Sequence, residues 1–144
     1  MINRKICVVT GSRAEYGLFY PILLEIKESS DLHLQLITTS SHHSKRHGYT
    51  YKVIENDGFV IDEKIDNLGL SDTRSSIVKS TGLATSLLSD CFEKLQPDMV
   101  LLLGDRYETL AAATSALLMN IPIAHIHGGE ITEGAVDEQI RHSI

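Results

Sequence analysis

The sequence predicts an α/β fold, a doubly wound Rossmann-like parallel sheet, and three observations carry that prediction. Short apolar runs alternate along the chain with segments of helical periodicity. Three of the runs, Ile6–Thr10, Met99–Leu103 and Ile123–Ile126, are short, largely apolar and bounded by turn residues, as strands buried on both faces are. Each is followed at once by a glycine-bearing turn rich in charge: Gly11-Ser12-Arg13-Ala14-Glu15, Gly104-Asp105-Arg106-Tyr107-Glu108 and His127-Gly128-Gly129-Glu130. An open parallel sheet binds ligands at its carboxyl edge, where helix amino termini offer unpaired N–H groups to anions. The three turns therefore point to one shared site.

The elements follow in order. After the first strand, Leu18, Ile22, Leu23 and Ile26 recur at near-helical spacing over Tyr16–Glu28, with Pro21 tolerable only in the first turn. Leu32, Leu34 and Leu36 alternate with polar residues over Leu32–Thr38 and read as a second strand, followed by a polar loop, Ser40–Arg46. Tyr49–Asn56 is a short helix stopped by Asp57-Gly58, and Val60–Ile65 a weaker third strand. A long helical pattern from Thr73 to Leu95, with Gly82 as a bend point, stops at Gln96-Pro97. The strand Met99–Leu103, an Ala-rich helix Glu108–Met119 and the strand Ile123–Ile126 complete the rhythm. Right-handed crossovers then give the strand order 3-2-1-4-5, with the Arg13 and Arg106 turns flanking the point where the order reverses. From Thr132 on, Val136, Ile140 and Ile144 recur at i, i+4, i+8, while Asp137 with Arg141 and Glu138 with His142 form i,i+4 pairs. That helix has no C-cap before the last residue, and the chain is expected to be the amino-terminal part of a longer protein.

At 144 residues the chain fits one domain, 1–144, large enough to bury a core. No apolar run approaches the roughly 20 residues that cross a bilayer, so no membrane partner is expected. A net charge of -6 with only 13 Lys and Arg gives no basic footprint for nucleic acid. A small anion held by a few local arginines is the partner that fits. Cys7 and Cys91 lack paired spacing and no secretory segment precedes them, which suits a reduced, cytoplasmic compartment.

Arg13 and Arg106 are candidate phosphate or carboxylate partners, with Asp105, Glu130 and Asp137 available for proton chemistry. The first turn alone is a weak signal, since it does not match G-x-G-x-x-G. Asp105 and Arg106 together at a strand end are stronger, the plain alternative being a structural Asp–Arg pair or a helix N-cap. His125 and His127, two apart on a strand, point to one face, but their spacing matches no zinc signature and no metal site is expected. His42, His43 and His47 read as a solvated polar loop.

Taken together, Gly11 through Gly17, Gly104 through Glu108, and the run from His125 through Glu130 and on from Gly134 to Ile144 closely resemble the hydrolysing UDP-N-acetylglucosamine 2-epimerases of bacterial sialic acid synthesis. The motifs arrive in family order and span the chain. The resemblance implies the amino-terminal half of a two-domain, glycosyltransferase-B type protein, with a UDP-sugar substrate in the cleft between the domains and no metal or redox cofactor. It implies elimination of UDP across C1 and C2 to a 2-acetamidoglucal, then hydration to N-acetylmannosamine. By the same resemblance Asp105, Asp137, His127 and Glu130 are catalytic, and Gly11, Ser12, Arg13, Tyr16, Arg106, Gly128, Gly129, Arg141 and His142 bind substrate. Some relatives have Glu where this chain has His127, and that role falls to His127 or Glu130. A carboxyl-terminal domain from the rest of the protein and a homo-oligomer are the expected partners, so residues 1–144 alone should be inactive. A glycosyltransferase of the same fold and a noncatalytic nucleotide-binding subunit completed by another chain are the rival functions.

Overall fold

The computed structural model of the protein describes residues 3–67, 72–131 and 136–144. Five parallel strands, β1 (Arg4–Thr10), β2 (Leu32–Thr38), β3 (Glu63–Lys64), β4 (Met99–Leu103) and β5 (Ile123–Ile126), pair in the order β3-β2-β1-β4-β5. This is the predicted order. Five α-helices accompany them: α1 (Arg13–Glu28), α2 (Tyr51–Asn56), α3 (Arg74–Leu95), α4 (Tyr107–Leu118) and α5 (Val136–Ser143). The pairing of Val8 with Leu101 sets the ends of β1 and β4 level, so their two turns lie side by side at the carboxyl edge.

Strand side chains alternate between the two faces, and each face has its own core. Val8, Leu36 and Leu103 meet Tyr16, Phe19, Leu23 and Ile26 of α1 and Ile54 of α2 on one side. Cys7, Val9, Ile37, Val100 and Leu102 meet Ala84, Leu88 and Phe92 of α3 and the alanines of α4 on the other. Small side chains on α4, Ala111, Ala112, Ala113 and Ala116, let it lie close to the sheet and to α3. Each fully buried Leu or Phe contributes roughly 1.5–3 kcal/mol of transfer free energy.

Four local expectations are corrected. Helix α1 begins at Arg13, so Pro21 stands mid-helix rather than in the first turn. Pro21 has no N–H for the Gly17 carbonyl; the helix tolerates this because a capping box fixes its start and Phe19, Leu23 and Ile26 are buried on either side of the proline. The third strand shrinks to Glu63–Lys64: the Asp62 carboxylate accepts from the Leu36 N–H (2.7 Å) where the β2–β3 pairing begins, and Val60 before it is exposed. Residues 40–46 are not an open loop but two short 3-10 turns, Ser40–His43 and Lys45–His47. Gly82 stays within α3, which runs unbroken to Leu95 and ends with Gln96 in the left-handed region ahead of Pro97. The start of the last helix at Thr132 lies outside the described residues, as does Gly134; no described helix is long and apolar enough to cross a membrane.

Leu88→Ala should lose about 2–5 kcal/mol through the cavity it opens, whereas Leu83→Ala, half-exposed on the same helix, should stay within about 0.5 kcal/mol of wild type. Urea unfolding followed by circular dichroism checks both.

Candidate active site

At the end of β1 the chain turns through Gly11 into α1, with Ser12 as N-cap. A methyl group on Gly11 would stand 3.2 Å from Thr39 Oγ1 and 3.5 Å from Glu108 Cβ, so glycine eases the close approach of these three segments. Glu15 reaches back from α1, its Oε2 accepting from the N–H groups of Gly11 (2.6 Å) and Ser12 (3.1 Å), while Ser12 Oγ accepts from the Glu15 N–H. The amides expected to face an anionic ligand thus already hold an internal carboxyl group. Burial pushes the Glu15 carboxyl up to about 7, with neighbouring Glu108 adding to the rise; the two amide hydrogen bonds and Arg106 oppose it without cancelling it. Arg13 is exposed beside this turn, and Tyr16 is buried with its hydroxyl donating to Asp57 (2.7 Å).

Beneath this turn lies the clearest correction to the sequence analysis: His42 is fully buried rather than solvated. Its Nε2 is 3.0 Å from Thr10 Oγ1 and its Nδ1 2.8 Å from Thr50 Oγ1, so a neutral ring pairs with one hydroxyl on β1 and another at the start of α2. Burial, helped by His43, lowers its pKa to about 4. Ser41 adds a hydrogen bond from Oγ to the Gly11 carbonyl (2.7 Å), and His43 Nε2 meets Thr38 Oγ1 at 2.9 Å. Polar composition concealed this, because Ser, Thr and His satisfy one another in the interior as readily as they bind water.

The β4 turn opens with Gly104 at φ 82°, which only glycine adopts freely. Arg106 folds back onto the buried carboxylate of Glu108, Nε to Oε2 at 3.1 Å and Nη2 to Oε1 at 3.2 Å. Asp105 pairs instead with Arg141 of α5, whose other arm donates to the Glu130 carbonyl (2.8 Å). Arg141 was expected to pair with Asp137, one turn away; its ion pair is with a residue 36 positions back, and Asp137 stays exposed. Glu138 and His142 approach to 4.0 Å as the i,i+4 rule anticipates. At the β5 end His125 and His127 do not share a face. His125 Nε2 donates to the Gly104 carbonyl (2.6 Å) with Gly128 packed on its ring, whereas His127 enters the left-handed region at φ 61° and turns to Glu130. Among the described residues no three His, Cys, Asp or Glu side chains converge to hold a metal ion.

The structure thus brings Asp105, Arg141, His142, His127, Gly128, Gly129 and Glu130 together at the β4 and β5 ends, while Gly11, Ser12, Arg13 and Tyr16 form a second group at the β1 end. Glu15, Glu108 and Arg106 link the two, and the sequence analysis assigned neither glutamate a role. The Ser12-x-x-Glu15 spacing of a capping box was the legible sign for one. Glu108 carried no such sign. A hollow of about 660 Å³ opens beside the joined turns, lined in part by Arg106, Tyr107 and Asp137.

A family profile described as UDP-N-acetylglucosamine 2-epimerase matches residues 24–144. Over all 144 residues the chain is 51% identical to the GDP/UDP-N,N'-diacetylbacillosamine 2-epimerase (hydrolyzing) of Campylobacter jejuni, covering 37% of that protein. It is 43% identical over 141 residues to the UDP-N,N'-diacetylbacillosamine 2-epimerase (hydrolyzing) of Legionella pneumophila, covering 98% of this chain and again 37% of the relative. The crystal structure of UDP-GlcNAc 2-epimerase from Neisseria meningitidis bound to UDP-GlcNAc superposes with a TM-score of 0.80 at 26% identity, over 96% of this chain and 37% of that one. The chain therefore spans little more than a third of the relatives it matches.

Because the Glu15 pKa is higher folded than in the unfolded chain, where it is near 4.5, the folded state holds an extra proton between about pH 4.5 and 7, and stability falls as pH rises through that window. Glu15→Gln keeps an acceptor for both amides and removes the titration. Its melting temperature relative to wild type should rise between pH 5 and pH 8; a constant difference in thermal melts would place the carboxyl's titration elsewhere.

Proposed function

Since the chain belongs to the UDP-N-acetylglucosamine 2-epimerase family, we propose that it supplies one wall of a hydrolysing 2-epimerase that converts a UDP-2-acetamido sugar to UDP and the free 2-epimeric sugar. The observation that carries this reading is that Arg106 of the β4 turn and Asp137 of α5 line one hollow, while Asp105, next to Arg106, is held to α5 by Arg141. In this reading residues 1–144 form one Rossmann-like domain, the remainder of the protein forms the opposing wall, and the whole works as a cytoplasmic homo-oligomer.

The reaction needs a base to remove the C2 proton as the C1–O bond breaks and its electron pair leaves on UDP. It then needs water to add, hydroxyl at C1 and a proton at C2 on the opposite face. In this reading Asp137, exposed at the start of α5, exchanges a proton with C2 or with water. Asp105 is fixed in orientation by Arg141, and His127 with Glu130 forms a paired acid and base for the hydration step. Arg13, exposed beside the Gly11 turn, and Arg106, anchored by Glu108, stabilise the departing diphosphate through charge-assisted hydrogen bonds. The printed activities of the Campylobacter and Legionella relatives bring UDP-N,N'-diacetylbacillosamine forward beside UDP-N-acetylglucosamine as substrate.

In the full-length protein Asp137→Asn should lower turnover about 10²- to 10⁴-fold while leaving the melting temperature unchanged, because the side chain is exposed. Asp105→Asn should lower turnover similarly and also destabilise, since it removes the charge opposite buried Arg141. Arg106→Ala should raise KM as well as slow the reaction. UDP release and melting curves measured on the same preparations check all three, and an Asp137→Asn variant retaining more than about a tenth of wild-type turnover would remove it from proton transfer.

A further inference from the structure

Two buried carboxyl groups stand around one guanidinium where the β1 and β4 turns meet. Glu108, 2% exposed, gives both its oxygens to Arg106, accepting from Nε at 3.1 Å and from Nη2 at 3.2 Å. That pair is neutral. Glu15, 8% exposed, is the carboxyl in surplus: its Oε2 accepts from the uncharged amides of Gly11 and Ser12, and its Oε1 has no hydrogen-bonding partner among the described residues. The other titratable groups around it leave that surplus standing. On its own helix Arg13 is exposed and Tyr16 donates to Asp57, while in the β4 turn Asp105 is taken by Arg141. Tyr107 of α4, pushed above its usual value chiefly by burial, is neutral near pH 7. His42, behind Thr10, has both ring nitrogens on hydroxyls and is neutral above about pH 4. Ionised Glu15 therefore gives the cluster of Glu15, Glu108 and Arg106 one net negative charge, and protonated Glu15 gives it none.

An anionic ligand is repelled by the first state of this cluster and not by the second. A diphosphate beside Arg106 favours the second, because a like charge nearby disfavours ionisation of a carboxyl group. Oε1 is the oxygen open to the proton, since Oε2 is occupied by two N–H donors. Burial, helped by Glu108, holds this carboxyl at about 7, so added charge acts where a small shift changes its protonation most. We propose that Glu15 takes up a proton from solvent as the nucleotide diphosphate binds beside Arg106, and that this uptake lets an edge with two buried carboxyl groups and one guanidinium hold an anion. The proposal rests on the 2-epimerase reading, which puts the diphosphate at this edge. It deepens that reading by giving Glu15 a part in binding that acts through the charge around Arg106, without contact with the sugar.

The test is titration calorimetry of the full-length protein with UDP at about pH 7.5, in buffers of different ionisation enthalpy, which counts the protons bound with the ligand. Wild type should take up at least about 0.3 of a proton more than Glu15→Gln, which keeps an acceptor for both amides and does not titrate. Ionisation of the UDP phosphate is common to both proteins and cancels in the difference. Between about pH 6.5 and 8.5 the Kd of wild type should rise at least about threefold relative to that of the variant. Equal proton uptake by the two proteins, or Kd values that run parallel with pH, overturns the proposal, because a Glu15 that only caps α1 would alter stability and leave both quantities alone. Should Glu15→Gln melt early, wild type carrying isotope-labelled glutamate decides. Its infrared difference spectrum on adding UDP should gain a protonated-carboxyl band, and a spectrum without one sinks the proposal. If UDP does not bind the full-length protein at all, the 2-epimerase reading falls and takes the role of Glu15 with it.

Discussion

Position 11 leaves little room for a side chain, because three neighbouring segments crowd the space a Cβ would take. Gly11 ends the central strand of the sheet at the point where Thr39, Glu15 and Glu108 come within van der Waals distance of it. These neighbours belong to the chain following β2, to α1 and to α4, so three βα units converge on one backbone position. β1 pairs with β2 on one side and β4 on the other, and the Gly11 carbonyl accepts from the N–H and Oγ of Ser41, which ties this turn to the chain following β2. The buried His42 below it, spanning Thr10 and Thr50, ties the same point to α2.

The electrostatics follow from this crowding. Two glutamates and one arginine share the space between the β1 and β4 turns, with Glu108 giving both oxygens to Arg106 and Glu15 giving one to two amides. One guanidinium cannot neutralise two buried carboxylates, and Glu15, with hydrogen bonds only to uncharged amides, yields by holding its proton toward neutral pH. Under the proposed function, a diphosphate arriving at this edge would meet donors already engaged. Arg13, exposed and outside the cluster, would under that proposal be the arginine that meets it first.

The order of elements and the strand order were legible because they rest on hydrophobic periodicity and crossover handedness, which are properties of the chain's pattern. Strands β1, β4 and β5 and helix α3 stand within a residue or two of their expected bounds. Pro21 and the 3-10 turns were not legible, since a long buried helix face overrode one local rule and reciprocal side-chain hydrogen bonding replaced solvent in the other case. At the site, the turns could be found but not their partners. Asp105 lies next to Arg106 in sequence yet pairs with Arg141, and Arg106 turns to a glutamate two residues on. Charge partners are chosen by the folded geometry, and sequence spacing anticipates them only within a single helix, as for Glu138 and His142.

The link from Asp105 to Arg141 has a bearing on the order in which the chain assembles. Among the described residues, helix α5 is held to the rest of the fold by this pair, by the Arg141 bond to the Glu130 carbonyl and by the packing of Ile144 on the core. It gains its anchor only after β4 and β5 have paired and the Gly104 turn has presented Asp105. The amides of helix α5 should therefore exchange with solvent through openings that leave the sheet intact, well ahead of those in β1 and β4.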